Sequence, residues 1–379
     1  MTAFSHPFHA VTQSQPIGKL RMAVVGAGYW GPSLARKFQS SVAWDLVALC
    51  DRDLKRAHAV ADRLGGIPVA ESLDELLDTF EVDAVAIATP ARNHYGTVMT
   101  ALRAGKHVLV EEPIADSLAH GLDMFAEAES RSLVLMADHT SCFAPAVLKM
   151  HDLVQAGSLG ELLFVDSVTA HPGPEHPDVD VFWDLAPRAL AILDFVLPGG
   201  LNPGEVSAFG ADPLGTGRDC LGHLNFRLPN DVAAHVQVTW LGPAKTRQLV
   251  MGGSLRTLIW DDERPQPRLS VHERGVSLSR RRKFEGEPDA PAAAHTTADV
   301  WSPTLPDGEP LGQLVQELAS CIRNKRETRI GGGAGLRVLS VLEAAARSLS
   351  LAGQASAVDA NAYEDPDLAA TGVRLERAG

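Results

Sequence analysis

Three glycines and a run of acids supply the residues in this sequence best placed for chemistry. Gly26, Gly28 and Gly31 stand in "VVGAGYWGPS" at G-x-G-x-x-G spacing, with Tyr29 and Trp30 on the same turn. The first glycine allows a tight turn, the second lets a pyrophosphate approach the backbone, and the third packs helix on strand. The N-terminus of the helix behind them attracts phosphate oxygens. Asp51 follows 20 residues after Gly31, at the end of a second apolar run. A carboxylate there can bond a ribose 2′-hydroxyl and would repel a 2′-phosphate, whereas neighbouring Arg52 would attract one. The spacing therefore points to NAD(H), with NADP less favoured. A plain glycine turn with an aspartate cap is the bland alternative.

Further candidates follow other apolar runs. In "HVLVEEPIADS" (107–117) Glu111 and Glu112 adjoin just before Pro113, although like charges raise each other's cost. In "ATPARNH" (88–94), Thr89, Pro90, Asn93 and His94 would border the same crevice, a helix-start role being the alternative for His94. Asp184 and Arg188 are one helical turn apart and can share a face. His171, in "TAHPGPEH", ends a long apolar run near where a substrate would lie; it is either a replacement acid/base or an ordinary loop histidine. No CxxC pair or metal-ligand spacing accompanies Cys50, Cys142, Cys220 and Cys321, so no metal site is expected.

These residues need elements to hold them. Short runs at 20–25, 46–50, 82–88, 107–110 and 133–137 are apolar on both faces, as buried parallel strands are. Helical segments at 53–64, 94–104 and 117–130 alternate with them, and "SLDE" (72–75) is a capping box opening another. The fold class expected is α/β: an N-terminal Rossmann domain, that is a doubly wound parallel sheet, over residues 19–140. Beyond it the pattern changes. A helix at 145–156, a strand at 161–170, a helix at 185–196 and several strands from 205 to 274 imply a C-terminal α+β domain with an open, mostly antiparallel sheet, residues 141–355. A loop at 285–310 and helices at 309–324 and 334–352 complete it, with a disordered leader at 1–18 and a tail at 356–379. The chain has 34 Lys+Arg against 47 Asp+Glu, a net charge of -13, which argues against nucleic acid or an anionic membrane as partner. Its apolar runs are short of the ~20 residues of a membrane helix, and a cytoplasmic location is expected.

The segments "VVGAGYWGPSLARKF", "VDAVAIATPARNHYGTVMTALRAGKHVLVEEPIA", "HTSCFAPAVLKMHDLVQAGSLGEL", "FWDLAPRALAILDF", "TWLGPAKTRQL" and "LRVLSVLEAAARSL" together resemble the glucose–fructose oxidoreductase, inositol dehydrogenase and rhizopine-catabolism (Gfo/Idh/MocA) family. The resemblance is nearest to the branch that oxidises UDP-linked uronic sugars. It implies NAD(P) in the first domain, a sugar-like small-molecule substrate between the two, and a homo-oligomer formed through the open sheet. It also implies a Glu-Lys-Pro segment with an Asp and a His spaced i, i+4 as the catalytic set. This sequence departs from that set: Glu112 stands in place of the lysine and Arg188 in place of the histidine, while Asp184 keeps the aspartate. The paired exchange suggests a Glu112–Arg188 ion pair across the cleft. Such a pair would hold Glu112 at low pKa and make it a poor base. An anion beside the nicotinamide would also favour the oxidised ring, so reduction of substrate would be easier than oxidation. The function expected is an NAD(H)-dependent oxidoreductase acting on a sugar-like or other polyhydroxylated molecule. The alternatives are a non-redox lyase, isomerase or cyclase that retains the dinucleotide, and a catalytically silent family member.

Overall fold

Alternate residues of the first strand, β1 (Leu20–Val25), enter two different cores. Met22 and Val24 pack into one, Ala23 and Val25 into the other. The same division recurs in β4 (Ala84–Ile87) and β5 (His107–Val110), so this sheet is covered on both faces, as its continuous apolar runs require. The computed structural model describes residues 18–174, 179–265, 267–273, 277–279, 292–294, 299–330 and 333–359. The expected leader and most of the expected tail lie outside them, as does part of the expected 285–310 loop.

The remaining strands of this sheet are β2 (Trp44–Cys50), β3 (Val69–Ala70) and β6 (Leu135–Ala137). All pairings are parallel, in the order β3-β2-β1-β4-β5-β6. The order reverses between β1 and β4, and the carboxyl ends there form the crevice in which such sheets bind ligands. Five helices connect the strands: α1 (Gly31–Ser40), α2 (Leu54–Arg63), α3 (Leu73–Thr79), α4 (His94–Arg103) and α5 (Leu118–Ser130). The capping box forms at α3, where Ser72 accepts from the Glu75 N–H; Glu75 reaches back one residue further, to the Glu71 N–H.

Past β6 come α6 (Pro145–Gln155), β7 (Leu162–Pro172), α7 (Val181–Val196), β8 (Glu205–Ala211), β9 (Leu221–Leu228), β10 (Val232–Thr239), β11 (Leu241–Gly253), β12 (Thr257–Asp261) and β13 (Leu269–His272). The short strands β14 (Ser277–Ser279) and β15 (Ala292–Ala294) pair with each other, and β16 (Val300–Trp301) follows. The last elements are α8 (Pro310–Asn324), α9 (Gly333–Ser350) and β17 (Ser356–Ala357). Nine strands make the second sheet in the order β16-β13-β12-β11-β7-β10-β9-β8-β17. Its pairings are antiparallel except β7 with β10.

Two features differ from the sequence expectation. Helix α7 starts at Val181, not 185, because Asp180 caps it by accepting the N–H groups of Phe182 and Trp183. Pro187 sits inside that helix. The closing helices also serve both sheets: α8 packs against α1, with Trp44 Nε1 donating to the Val315 carbonyl, and α9 packs against α5 and α7. Arg337 of α9 forms a buried pair with Asp194 of α7, Nη2 to Oδ2 at 2.8 Å. No helix among the described residues is long and apolar enough to cross a membrane.

Candidate active site

The glycine turn after β1 has the geometry that its spacing implies. Gly26 has φ +101°, and a Cβ there would lie 2.5 Å from the Ala88 carbonyl oxygen. A Cβ on Gly31 would lie 1.8 Å from the Gly26 carbonyl oxygen, so the third glycine permits α1 to start against the turn. Around Gly28 there is open space. That space belongs to a cleft of about 920 Å³ running over the carboxyl ends of β1, β2, β4 and β5. Gly26, Gly28, Tyr29 and Trp30 line one wall, Asp51 and Arg52 the end, and Thr89, Pro90, Asn93 and Glu111 the other wall. Arg56 and Arg92, not singled out from the sequence, line it as well.

The polar groups of the cleft fit a dinucleotide. Helix α1 has no side-chain cap; Pro32 lacks an N–H and Ser33 and Leu34 donate to the Trp30 carbonyl, so an anion there would be met by the glycine-turn N–H groups and the helix dipole. Trp30 Nε1 and Thr89 Oγ1 are buried on the cleft wall with no hydrogen-bond partner among the described residues. Buried polar atoms are seldom left unmet, so these are atoms a ligand would satisfy. Burial alone would raise the Asp51 carboxyl. The N–H groups of Ala27 (2.7 Å) and Asp53 (2.8 Å) and the Arg56 guanidinium (3.1 Å) outweigh it and hold Asp51 below the ordinary aspartate value. An anionic Asp51 fixed in this way is an acceptor for ribose hydroxyls.

Beyond the cleft, the expected ion pair between the two exchanged residues forms. Arg188 Nε donates to Glu112 Oε1 at 3.0 Å, joining α7 to the end of β5. The guanidinium carbon also lies 5.8 Å from the centre of the Trp30 ring, so one arginine spans the glycine turn and Glu112. The other Glu112 oxygen accepts from His139 Nδ1 at 3.0 Å. Burial would raise the Glu112 carboxyl, but the His139 bond and the Arg188 charge hold it below the ordinary glutamate value. Both oxygens are engaged, and Glu112 is not among the residues lining the cleft. The Glu112–Pro113 bond is cis.

Other expected residues take different places. Asp184, in the first turn of α7, accepts from Trp240 Nε1 at 2.7 Å. His171, at the end of β7, donates from Nδ1 to the Gly173 carbonyl at 2.8 Å and is not part of the cleft wall. His94, expected at the crevice rim, faces inward instead and is 1% exposed. Its ring nitrogens approach the Thr89 carbonyl at 2.6 Å and the Pro113 carbonyl at 2.9 Å, so it ties together the two loops that flank the cleft. Asp138, His139 and Trp240 are site residues that the sequence reading missed. The first two follow β6 directly in "ADHT", a strand-end position like that of Glu111, and this was the available signal.

A family model described as an oxidoreductase family with an NAD-binding Rossmann fold, the Gfo/Idh/MocA family, matches residues 20–139. The match covers the parallel sheet and its five connecting helices. An uncharacterized oxidoreductase of Streptococcus pneumoniae is 36% identical over 164 residues, 43% of each chain. UDP-N-acetylglucosamine 3-dehydrogenase of Acidithiobacillus ferrooxidans is 31% identical over 192 residues, 50% of this chain and 58% of the relative. The matches thus span roughly half of these curated relatives' length. The solved structure of the Acidithiobacillus enzyme superimposes with TM-score 0.73 at 25% identity, covering 88% of this chain and 98% of that one. GenD2 from gentamicin A biosynthesis, solved in complex with NAD, shares the fold with TM-score 0.75 at 22% identity, covering 93% and 100%.

Proposed function

We propose that this chain is an NAD(H)-dependent oxidoreductase of the Gfo/Idh/MocA type acting on a sugar-like, polyhydroxylated substrate, with a Glu–Arg pair in place of the usual lysine and histidine. The observation that carries the reading is the cleft itself: a glycine turn opening onto empty space at Gly28, an anionic Asp51 at its end, and two buried unmet polar atoms on its walls. Asp51 supports NAD over NADP, while Arg52 and Arg56 at the same end offset part of its charge. The names of the relatives support sugars, including nucleotide-linked ones, as the first substrates to test.

A bound nicotinamide would supply hydride exchange with a carbon of the substrate. The protein's residues then have three tasks. The glycine turn and the α1 N-terminus hold the phosphates, and Asp51 orients the ribose. Arg188, stacked on Trp30 and bonded to Glu112, places one fixed ion pair at the boundary of the two sheets. An arginine stays protonated and Glu112 is a stabilised anion, so neither accepts a proton readily near neutral pH. Loss of a positioned base costs about 10²–10⁴ in rate. That same observation favours a second reading, a non-redox enzyme that keeps the dinucleotide as a fixed element. Following the near-ultraviolet band of reduced nicotinamide while product is measured separates the two. Product formed with no change in dinucleotide redox state refutes the oxidoreductase.

The outer face of the second sheet presents the half-buried Phe164, Val168, Val250 and Ile259, which supports pairing with a second copy. Analytical ultracentrifugation showing a monomer at micromolar concentration would remove that element of the proposal.

A further inference from the structure

Strands β5 and β6 run parallel with Val110 opposite Ala137. The next residue on each is an acid, so Glu111 and Asp138 leave adjacent strand ends side by side. They are 7% and 6% exposed. Arg188 Nε and His139 Nδ1 are bonded to Glu112, and the Arg188 charge acts on Glu111 less strongly than burial and the Asp138 and Glu112 charges do. Asp138 accepts from the Thr140 N–H at 3.1 Å and from the Thr140 hydroxyl. Among the described residues Glu111 has no such donors, and it lines the cleft where Glu112 does not.

Two adjoining carboxyls in a desolvated site, with Glu112 as a third acid beside them, resist ionising together, and one proton stays between them at rest. Burial pushes Glu111 well up, and the charges of Asp138 and Glu112 add to it, while Arg188 opposes. Burial raises Asp138 too, but the Thr140 donors favour its anion. These directions favour Glu111 over Asp138 as the holder of the proton.

We propose that Glu111 and Asp138 share a proton on the wall of the cofactor cleft, and that this pair, not Glu112, is the proton donor and acceptor of the site. The inference rests on the oxidoreductase reading above. In reduction, the carbonyl carbon receives hydride from the reduced dinucleotide and the carbonyl oxygen receives the Glu111 proton. The carboxyl pair would give up its proton as a bound nicotinamide gained positive charge, so the new negative and positive charges would offset each other. A solvent proton then restores the pair. Oxidation is the reverse and requires the pair to have lost its proton first.

The test counts protons on binding. Wild type is titrated with NAD⁺ and with NADH in weakly buffered solution at neutral pH, with a pH indicator. Binding the cationic form should expel the shared proton, so NAD⁺ releases about one proton per site and NADH close to none. The Kd for NAD⁺ should then fall about tenfold per pH unit, the linkage slope for one proton. Asp138→Asn and Glu111→Gln should each abolish the difference. Equal release with both forms of the dinucleotide, or a difference that persists in both variants, overturns the proposal. Infrared spectra of the dinucleotide-free protein provide a readout independent of binding: a protonated carboxyl band is expected in wild type and should vanish in Glu111→Gln. If neither dinucleotide binds, the oxidoreductase reading fails, while the band still decides whether the pair holds its proton.

Discussion

Removing the Arg188 charge should be costly, and the cost should depend on Glu112. The Arg188 side chain is 15% exposed and that of Glu112 9%, at 3.0 Å, so this is a buried pair. Deleting one partner of such a pair costs about 3–5 kcal/mol because a desolvated charge is left behind. His139 still holds the second Glu112 oxygen, which places Arg188→Met toward the lower end, about 3 kcal/mol. The lost stacking on Trp30 adds about 0.5–1 kcal/mol. Glu112→Gln removes the charge and keeps one carbonyl oxygen, which in the double variant can still accept from His139, so adding it to Arg188→Met should recover about 2 kcal/mol relative to the sum of the two single changes. Urea unfolding of the four proteins of this cycle without dinucleotide measures that coupling. A coupling within about 0.5 kcal/mol of zero would refute the ion-pair reasoning, since independent sites add to that tolerance. The pH dependence has a definite sign. The folded Glu112 value lies below the unfolded one, so its contribution is complete above the unfolded value of about 4.3. It is lost as pH falls through the depressed folded value. Arg188→Met should flatten that acid limb.

Gly28→Val should leave the melting temperature of the dinucleotide-free protein within a degree or two, since its Cβ meets nothing within 4 Å, yet abolish binding in a fluorescence titration. Gly31→Ala, by contrast, should destabilise the fold by several kcal/mol because its Cβ collides with the Gly26 carbonyl. Asp51→Ser should weaken NAD and strengthen NADP, moving the ratio of their Kd values by about tenfold or more, because Arg52 and Arg56 then face a 2′-phosphate with only the more distant Asp53 carboxylate competing for Arg56. Glu111 and Asp138 have raised folded values, so their contribution is complete below the unfolded values of about 4 and is lost as pH rises through the folded ones. Above the acid limb set by Glu112, thermal melts should accordingly decline as pH rises, with a slope that Asp138→Asn reduces.

The dinucleotide cradle was legible because its signals are local. Gly26, Gly28, Gly31 and Asp51 follow strands that the apolar runs mark, and each residue type has one backbone task. Glu112 and Arg188 became visible as a pair only through their joint departure from a resembled pattern, since 76 residues separate them and neither spacing nor composition connects them. Asp138 and His139 were missed because nothing in "ADHT" shows that β6 pairs with β5 and brings its end beside Glu111. His94 was placed at the crevice on its position after β4. The residue's two carbonyl partners lie five and 19 positions away, and only the folded loops reveal them. The start of α7 was set four residues late because the Asp180 cap was not read as a helix signal and Pro187 falls inside the helix. Chain-local chemistry is readable from sequence, while contacts across strand ends depend on register.

The central claim is that hydride moves at this cleft although Glu112 and Arg188 stand where the resembled pattern has lysine and histidine. The most direct measurement is a single-turnover reaction of the protein loaded with reduced dinucleotide, mixed with a panel of oxidised sugars and sugar nucleotides, following the near-ultraviolet band of the bound nicotinamide and the product together. Loss of the band in step with alcohol formation is the expected result, together with a rate that falls about 10²–10⁴-fold in Glu111→Gln. Product formation with the band unchanged would contradict the claim.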